Sequence, residues 1–343
     1  MMTTLYKKPI IAAPVNDPGE VASLVEAGAG EVYCGFLPER WRQHYSSYDS
    51  LSRRQGIIAN ASNEETLVEI AREAQRTGVP ASLALNVRYS EGMLPEVLDY
   101  AAIWKQAGGQ SVLVSDLGLL LALQKEHLGL QRYLSILAPV FNSRALNFYK
   151  HFGISRIVLP RSLSLEEMRV LTQSSPNIDF EAMVLNDRCE YIDGFCSFYH
   201  GIAFPPGVST FFNYHQEMAE QKPLVYTQDL SYAGHGCQLQ FRSVRGTIRP
   251  EPHDDCHQPH CAACYIKRLA ASGIGYLKIG GRGLPSDIKV KAVRFIARAC
   301  QIAEQHSQAS FSRQPVKELY REVYGRDCGE NRCYYPGEQI REV

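Results

Sequence analysis

The feature of this sequence that most limits its fold is a repeated alternation of short apolar, β-branched runs with amphipathic helical runs, starting near residue 9 and continuing to about 190. Strands are expected at 10–15, 31–34, 81–85, 111–114, 133–137, 156–159 and 179–185. One more strand, at 275–279, comes much later and feeds a helix over 286–305. Helix starts are marked by Asp17 before Pro18 and by capping boxes from Ser62 to Glu65 and from Ser164 to Glu167. Gly28, Gly30, Gly78 and Gly153 mark helix stops. Strands joined by crossover helices run parallel, and about eight such units close most economically into a (β/α)8 TIM-type barrel. An open doubly wound sheet is the alternative, but no glycine-rich dinucleotide fingerprint follows the first strand. The expected organisation is a barrel from 1–196 and 265–311, interrupted by an aromatic- and cysteine-rich insertion at 197–264 and followed by a C-terminal extension at 312–343. Short strands are expected in the insertion at 210–213 and 239–247, and one helix in the extension at 316–323.

In such a barrel the catalytic groups gather at the C-terminal ends of the strands. Those positions hold Asn86, Arg88, Ser115, Asp116, Asn142, Arg144, Arg161, Asn186, Asp187, Arg188, Lys278 and Arg282. The excess of arginine suits a small carboxylate-bearing ligand, because a guanidinium matches a carboxylate in two-point contact. Arg88, Arg161, Arg188 and Arg282 are the expected substrate-binding residues. Asn86, Asp116, Arg161 and Asp187 are the expected catalytic ones. The run Gly280-Gly281-Arg282-Gly283 lies between a strand and a helix, where backbone amides can cradle an anion; a tight turn there needs glycine on steric grounds alone.

Lysine plus arginine total 36 and aspartate plus glutamate total 36, and the resulting zero net charge argues against a broadly basic nucleic-acid binder. Nothing approaches the ~18 consecutive apolar residues that span a bilayer, and the N-terminal apolar run is too brief for a signal peptide. A cytoplasmic protein is expected. In a reducing compartment its ten cysteines point to metal or catalysis rather than disulfides. Cys189, Cys196, Cys237, Cys256, Cys261 and Cys264 fall in one segment and Cys328 and Cys333 in the tail. Cys34, in a strand, and Cys300, in a helix, are expected to be packing residues. By spacing, four thiolates could bind a 4Fe–4S cluster, with zinc as the main competitor because the segment 256–264 offers three cysteines and two histidines. The residue patterns of zinc hydrolases, serine hydrolases and P-loop nucleotide enzymes do not occur.

Several segments resemble the peptidase U32, or collagenase-like, family. They are Ile11-Ala12-Ala13-Pro14, the run from Glu26 to Gly35 that contains Val32-Tyr33-Cys34-Gly35, Leu83-Ala84-Leu85-Asn86, and Val114-Ser115-Asp116-Leu117-Gly118. The run from Gly153 to Glu167 and Leu277-Lys278-Ile279-Gly280-Gly281-Arg282 complete the set. The resemblance implies an oxygen-independent hydroxylase with prephenate or a similar carboxylate as oxygen donor, despite the family name. It implies a 4Fe–4S cluster on Cys189, Cys196, Cys237 and Cys261, with Cys264 and Cys256 as alternates. A U32-type peptidase and a non-catalytic subunit paired with a related U32-type chain are the competing readings. Three departures keep the family's substrate from being carried over: Leu185-Asn186 replaces a histidine-glycine pair, Ser162 replaces an acidic residue, and the run from Leu137 to Ser143 replaces the usual sixth-strand motif. Cys256, Cys264, Cys328 and Cys333 are left over as the material for a second metal site.

Overall fold

The computed structural model describes residues 7–45, 51–54, 57–186, 192–195, 241–243, 246–248, 259–306, 311–329 and 332–335. In chain order the strands are β1 (Ile10–Pro14), β2 (Glu31–Gly35), β3 (Ala81–Leu85), β4 (Ser111–Val114), β5 (Gln131–Leu134), β6 (Ile154–Val158), β7 (Asp179–Leu185), β8 (Phe241–Ser243), β9 (Gly246–Ile248) and β10 (Tyr276–Ile279). The first seven and β10 form a closed parallel barrel in which β10 fits between β7 and β1. β8 and β9 form a separate antiparallel hairpin, where the sequence suggested one strand. The helices are α1 (Glu20–Glu26), α2 (Glu39–His44), α3 (Glu64–Arg76), α4 (Leu94–Gln106), α5 (Leu117–Glu126), α6 (Ser143–Lys150), α7 (Leu165–Ser174), α8 (Ile266–Ala271), α9 (Ser286–Gln305) and α10 (Gln314–Tyr324). The fold is therefore the expected (β/α)8 barrel.

The barrel forms because its strands are covered on both sides. Every residue of β2 and of β3 is buried, as strands in a closed parallel sheet must be. One face of each strand meets the helices through Leu24, Val32, Cys34, Leu67, Leu83, Val112, Ile157, Val293 and Ile296, all essentially inaccessible. Each such side chain contributes roughly 1.5–3 kcal/mol relative to exposure.

Three local expectations shift. β5 starts two residues earlier than read and ends at Leu134, since Ala138 donates to Ser135 O at 2.9 Å and turns Ile136 and Leu137 out of the sheet. The cap of α3 is Asn63 rather than Ser62; its side chain accepts the Thr66 N–H at 2.8 Å. Asp17 accepts the Gly19 N–H at 2.8 Å in a turn that precedes α1 instead of capping it. The Ser164–Glu167 capping box forms as read. No helix of the described residues is long and apolar enough to cross a membrane.

Beyond the barrel, α10 lies on α9 through edge-on contacts of Phe295 with Tyr320 (5.7 Å) and Tyr324 (5.3 Å). The chain then returns to the end of β7. There Cys333 pairs with Cys261, and Cys261 with Leu185, in isolated bridges.

Candidate functional site

The barrel interior is layered. Nearest the strand starts is a buried ion network. Arg156 on β6 donates from Nη1 to Glu31 (2.7 Å) and Glu181 (3.4 Å), and from Nη2 to the Tyr133 hydroxyl (3.2 Å). Its guanidinium lies 4.0 Å from the Tyr133 ring centre and 3.3 Å from that of Tyr276. Lys278 donates to Glu181 at 2.8 Å and lies 3.8 Å from the Tyr33 ring centre. Ser82 donates to Glu31 at 2.8 Å. Burial raises the Glu31 carboxyl above its usual value, and Glu181 adds to the rise while Arg156 opposes it. Burial acts on Glu181 in the same direction, but Lys278 and Arg156 outweigh it and hold that carboxyl low. Two cations and two carboxylates thus neutralise one another in a space closed to water. Tyr33, Ala84, Leu113 and Val158 form an apolar layer above them.

The mouth is built differently. Arg282, just past β10 and 5% exposed, donates to the Ser52 hydroxyl (2.8 Å) and to Asn60 Oδ1 (3.3 Å). It crosses directly over Gly35 at the end of β2. A Cβ placed there would meet Arg282 Nη1 at 1.7 Å and Asn60 Oδ1 at 2.1 Å, so any side chain at this position would push Arg282 aside. The turn before it also needs glycine, because Gly281 has φ +95. Across the mouth, Asn86 donates to the Ser135 hydroxyl at 2.9 Å and accepts the Arg53 N–H at 3.0 Å. The exposed Arg88 donates to Ser115 O (3.0 Å), to its hydroxyl (2.8 Å) and to Leu137 O (3.3 Å).

Arg161 meets an internal carboxylate. Its backbone N–H donates to Asp193 at 2.8 Å and its guanidinium grips the same side chain. At the end of β7, Asn186 adopts φ +60, unusual for a residue other than glycine. Its side chain donates to Gly280 O (3.2 Å), its N–H to His260 O (3.0 Å), and its carbonyl accepts the Tyr334 hydroxyl.

The structure thus brings Asn86, Arg88, Arg161 and Arg282 to one end of the barrel. Asp116 occupies the mouth too, but its carboxylate accepts the Leu119 N–H at 2.8 Å and caps α5. Asn142 caps α6 in the same way. Lys278 points below the mouth into the ion network. Asp187, Arg188, Cys189, Cys196, Cys237 and Cys256 lie outside the described residues. Ser52, Asn60 and Asp193, which orient the arginines, were not found from the sequence, because they lie on connections with no periodic signal. Glu31, Ser82, Ser111, Arg156 and Glu181 did carry a signal: a polar residue recurs near the start of strand after strand.

Among the described cysteines, Cys34 and Cys300 are fully buried, as expected of packing residues, and burial pushes each thiol up to about 12. Cys261, Cys264, Cys328 and Cys333 are free thiols that gather where the tail meets the end of β7. Burial, then the charges of Cys328 and Cys333, push Cys264 up to about 12, against Arg313 and Lys317. Cys261 is raised well above its usual value by burial and by all three neighbours. Among the described residues no group of three or more His, Cys, Asp or Glu side chains is placed to hold a metal ion.

Residues 17–203 match the model of peptidase family U32, more than half of the chain. A closed (β/α)8 barrel with a polar mouth and a family match of that extent define the class: the chain belongs to peptidase family U32. It is 29% identical over 195 residues to the uncharacterized protease MJ0090 of Methanocaldococcus jannaschii, covering 54% of this chain and 42% of that one. It is 25% identical over 189 residues to tRNA hydroxylation protein P of Escherichia coli, covering 55% and 39%. The namesake from Haemophilus influenzae matches at 23% over 195 residues, covering 57% and 39%. The matched stretch thus spans about two fifths of the length of these relatives. The solved U32 peptidase Mk0906 superimposes with a TM-score of 0.44 at 11% identity, covering 82% of this chain and 96% of that one.

Proposed function

We propose that this chain is a U32-type hydroxylase that modifies an RNA base without molecular oxygen, taking the oxygen atom from a small carboxylate-bearing donor such as prephenate. The observation that carries the reading is the likeness of its barrel to relatives named tRNA hydroxylation protein P. The mouth supports it. Arg282 and Arg88 are oriented at the mouth by neutral oxygens, and a guanidinium so placed suits a donor carboxylate in two-point contact. Arg161 gives Asp193 a fixed orientation beside the same space and can exchange that partner for substrate. Arg188 and Asp187 complete the proposed set of mouth residues, and Asn86 offers an amide between Ser135 and the chain at Arg53. A cytoplasmic location agrees with an RNA substrate.

The resemblance implies a 4Fe–4S cluster, and Cys261 tests the fit among the described residues. It is a buried soft donor beside the mouth end of β7, and its sulfur accepts the Ala263 N–H at 3.2 Å, which stabilises a thiolate. That chemistry fits. Cys189, Cys196, Cys237 and Cys261, with Cys256 and Cys264 as alternates, are the residues that would hold the cluster. When bound, it supplies a redox or Lewis-acid centre near the donor.

The test is anaerobic purification with iron and sulfide counts, followed by incubation with prephenate and unmodified tRNA and mass analysis of the nucleosides. A nucleoside heavier by one oxygen atom is expected. Product formed only after a second U32-type chain is added would replace this reading with that of a partner subunit. Cleavage of peptides by cluster-free protein, with no modified nucleoside, would replace it with the peptidase reading.

A further inference from the structure

We propose that the turn 192–195 is a stacking platform at the rim of the mouth, on which Phe195 receives an unpaired RNA base next to the one being modified. The inference rests on the RNA-hydroxylase reading above and extends it from the mouth to the rim. Phe195 is 71% exposed and Ile192 58%, and they are the two most exposed of the large apolar side chains among the described residues. They open and close one turn, in which the Phe195 N–H donates to Ile192 O at 3.2 Å. A β-turn brings its first and fourth Cα atoms within about 7 Å, so the two side chains form one patch.

The middle of the turn fixes it to the barrel. Asp193, its second residue, is buried, and its carboxylate accepts the Arg161 backbone N–H at 2.8 Å and Arg161 Nε at 3.1 Å. Gly194, its third residue, has φ +84, the left-handed value that this position of a type II turn requires. It is seated on the connection that follows β5: a Cβ built on it would meet Pro139 at 3.0 Å and Leu137 O at 3.1 Å. Leu137 O also accepts Arg88 Nη2 at 3.3 Å. The turn is thus clamped between the connections after β5 and β6, both at the mouth. Its two central residues face the barrel while its outer two meet solvent. The apolar pair is therefore held out on a fixed support, and little ordering remains to be done on binding.

The size of the patch decides what fits it. A stable protein partner takes about 800 Å² and roughly 20–30 residues on each side, and two side chains are a small fraction of that. One phenyl face with an isoleucine beside it matches the face of a single base. Single-stranded RNA is held in this way, by aromatic side chains that stack its bases beside cations that meet its phosphates. Such a cation stands on the connection after β5: Arg144, in the first turn of α6, is exposed and makes no ion pair among the described residues. The chemistry also calls for a platform here. An enzyme that acts on a base takes it out of the stack, which leaves the face of the neighbouring base bare. Phe195 covers that face at the opening through which the modified base enters.

The test begins with Phe195→Trp, which keeps an aromatic face and adds a fluorophore. The native Trp41 and Trp104 are fully buried, so acrylamide should quench the new indole alone in the free protein. Unmodified tRNA should shield it, and a blunt RNA duplex at the same concentration should not. An indole closed to acrylamide in the free protein, one that tRNA leaves accessible, or one shielded by a second U32-type chain instead of tRNA would overturn the platform. Phe195→Ala should bind tRNA roughly 5- to 150-fold more weakly, the range of one lost base stack, and Phe195→Tyr should bind it as the wild type does. Equal affinity in the alanine variant would overturn the proposal. In the nucleoside assay Phe195→Ala should raise KM for tRNA while kcat and KM for prephenate hold. Shielding by tRNA with no modified nucleoside leaves the platform standing and removes the hydroxylase reading. Product formed by Phe195→Ala at the wild-type KM removes the platform alone.

Discussion

The two ends of this barrel are both charged, and they are charged in opposite ways. Near the strand starts, Arg156 and Lys278 face Glu31 and Glu181, and each charge meets its opposite inside the protein. At the mouth, Arg282 is held by Ser52 and Asn60, and Arg88 by Ser115 and the Leu137 carbonyl. These contacts to neutral oxygens set the direction of each guanidinium. A closed ion network makes a unique interior, while guanidiniums aimed by neutral oxygens make a surface suited to carboxylates. This agrees with the division of labour in such barrels, where the lower face carries stability and the upper face chemistry.

The most damaging way to test the contrast is Arg156→Met, which leaves Glu31 and Glu181 buried together without their shared cation. Stability should fall by about 3–5 kcal/mol in denaturant unfolding. A loss under ~1 kcal/mol would show that the lower layer is not coupled as described. At the mouth, Gly35→Ala should leave unfolding far less affected but push Arg282 aside. Displacing a positioning group by about 1 Å can cost ~100-fold in rate, so tRNA hydroxylation in the nucleoside assay should drop on that scale while the fold persists. Unchanged turnover would remove Arg282 from the site.

The two glutamates that share Arg156 should respond to pH with opposite signs. Glu181, held low, contributes stability above the ordinary carboxyl value of about 4.3 and loses it as pH falls through its own lower value. Glu31, raised by burial first, contributes below that ordinary value and loses its contribution as pH rises through its own higher value. Urea midpoints from about pH 3 to about pH 7 should therefore show Glu181→Gln flattening the acid limb and Glu31→Gln removing a loss of stability toward neutrality. Parallel curves for the two variants would contradict the assignment. The smallest effect is expected of Cys34→Ala, which removes a buried packing thiol. It should cost about 1 kcal/mol, by analogy with small core truncations, and leave the iron content unchanged.

The site was only partly legible. Arg282, Arg161, Arg88 and Asn86 could be placed at the mouth because each follows a strand whose apolar run is visible, and a parallel barrel puts every strand end on one face. Asp116 occupies the same kind of position, yet its carboxylate caps α5, and nothing in strand periodicity separates a cap from a catalytic acid. Asp193 meets Arg161 from 32 residues further along the chain, and Ser52 reaches Arg282 across 230 residues. Such partners are chosen by closure of the barrel, which no local pattern encodes.

By itself the sequence determined the alternation of strands and helices, the boundaries of elements as long as α9, the closed parallel barrel and the end of it where chemistry belongs. These follow from periodicity, capping and the short reach of crossover connections, all of which act within about 30 residues. The tertiary structure decided which charges neutralise one another and which remain aimed at the mouth. It also decided that the tail returns to the end of β7 and sets Cys333 beside Cys261. Pairing across distant segments depends on where a closed sheet brings its edges and its tail together, and that position exists only once the chain has folded.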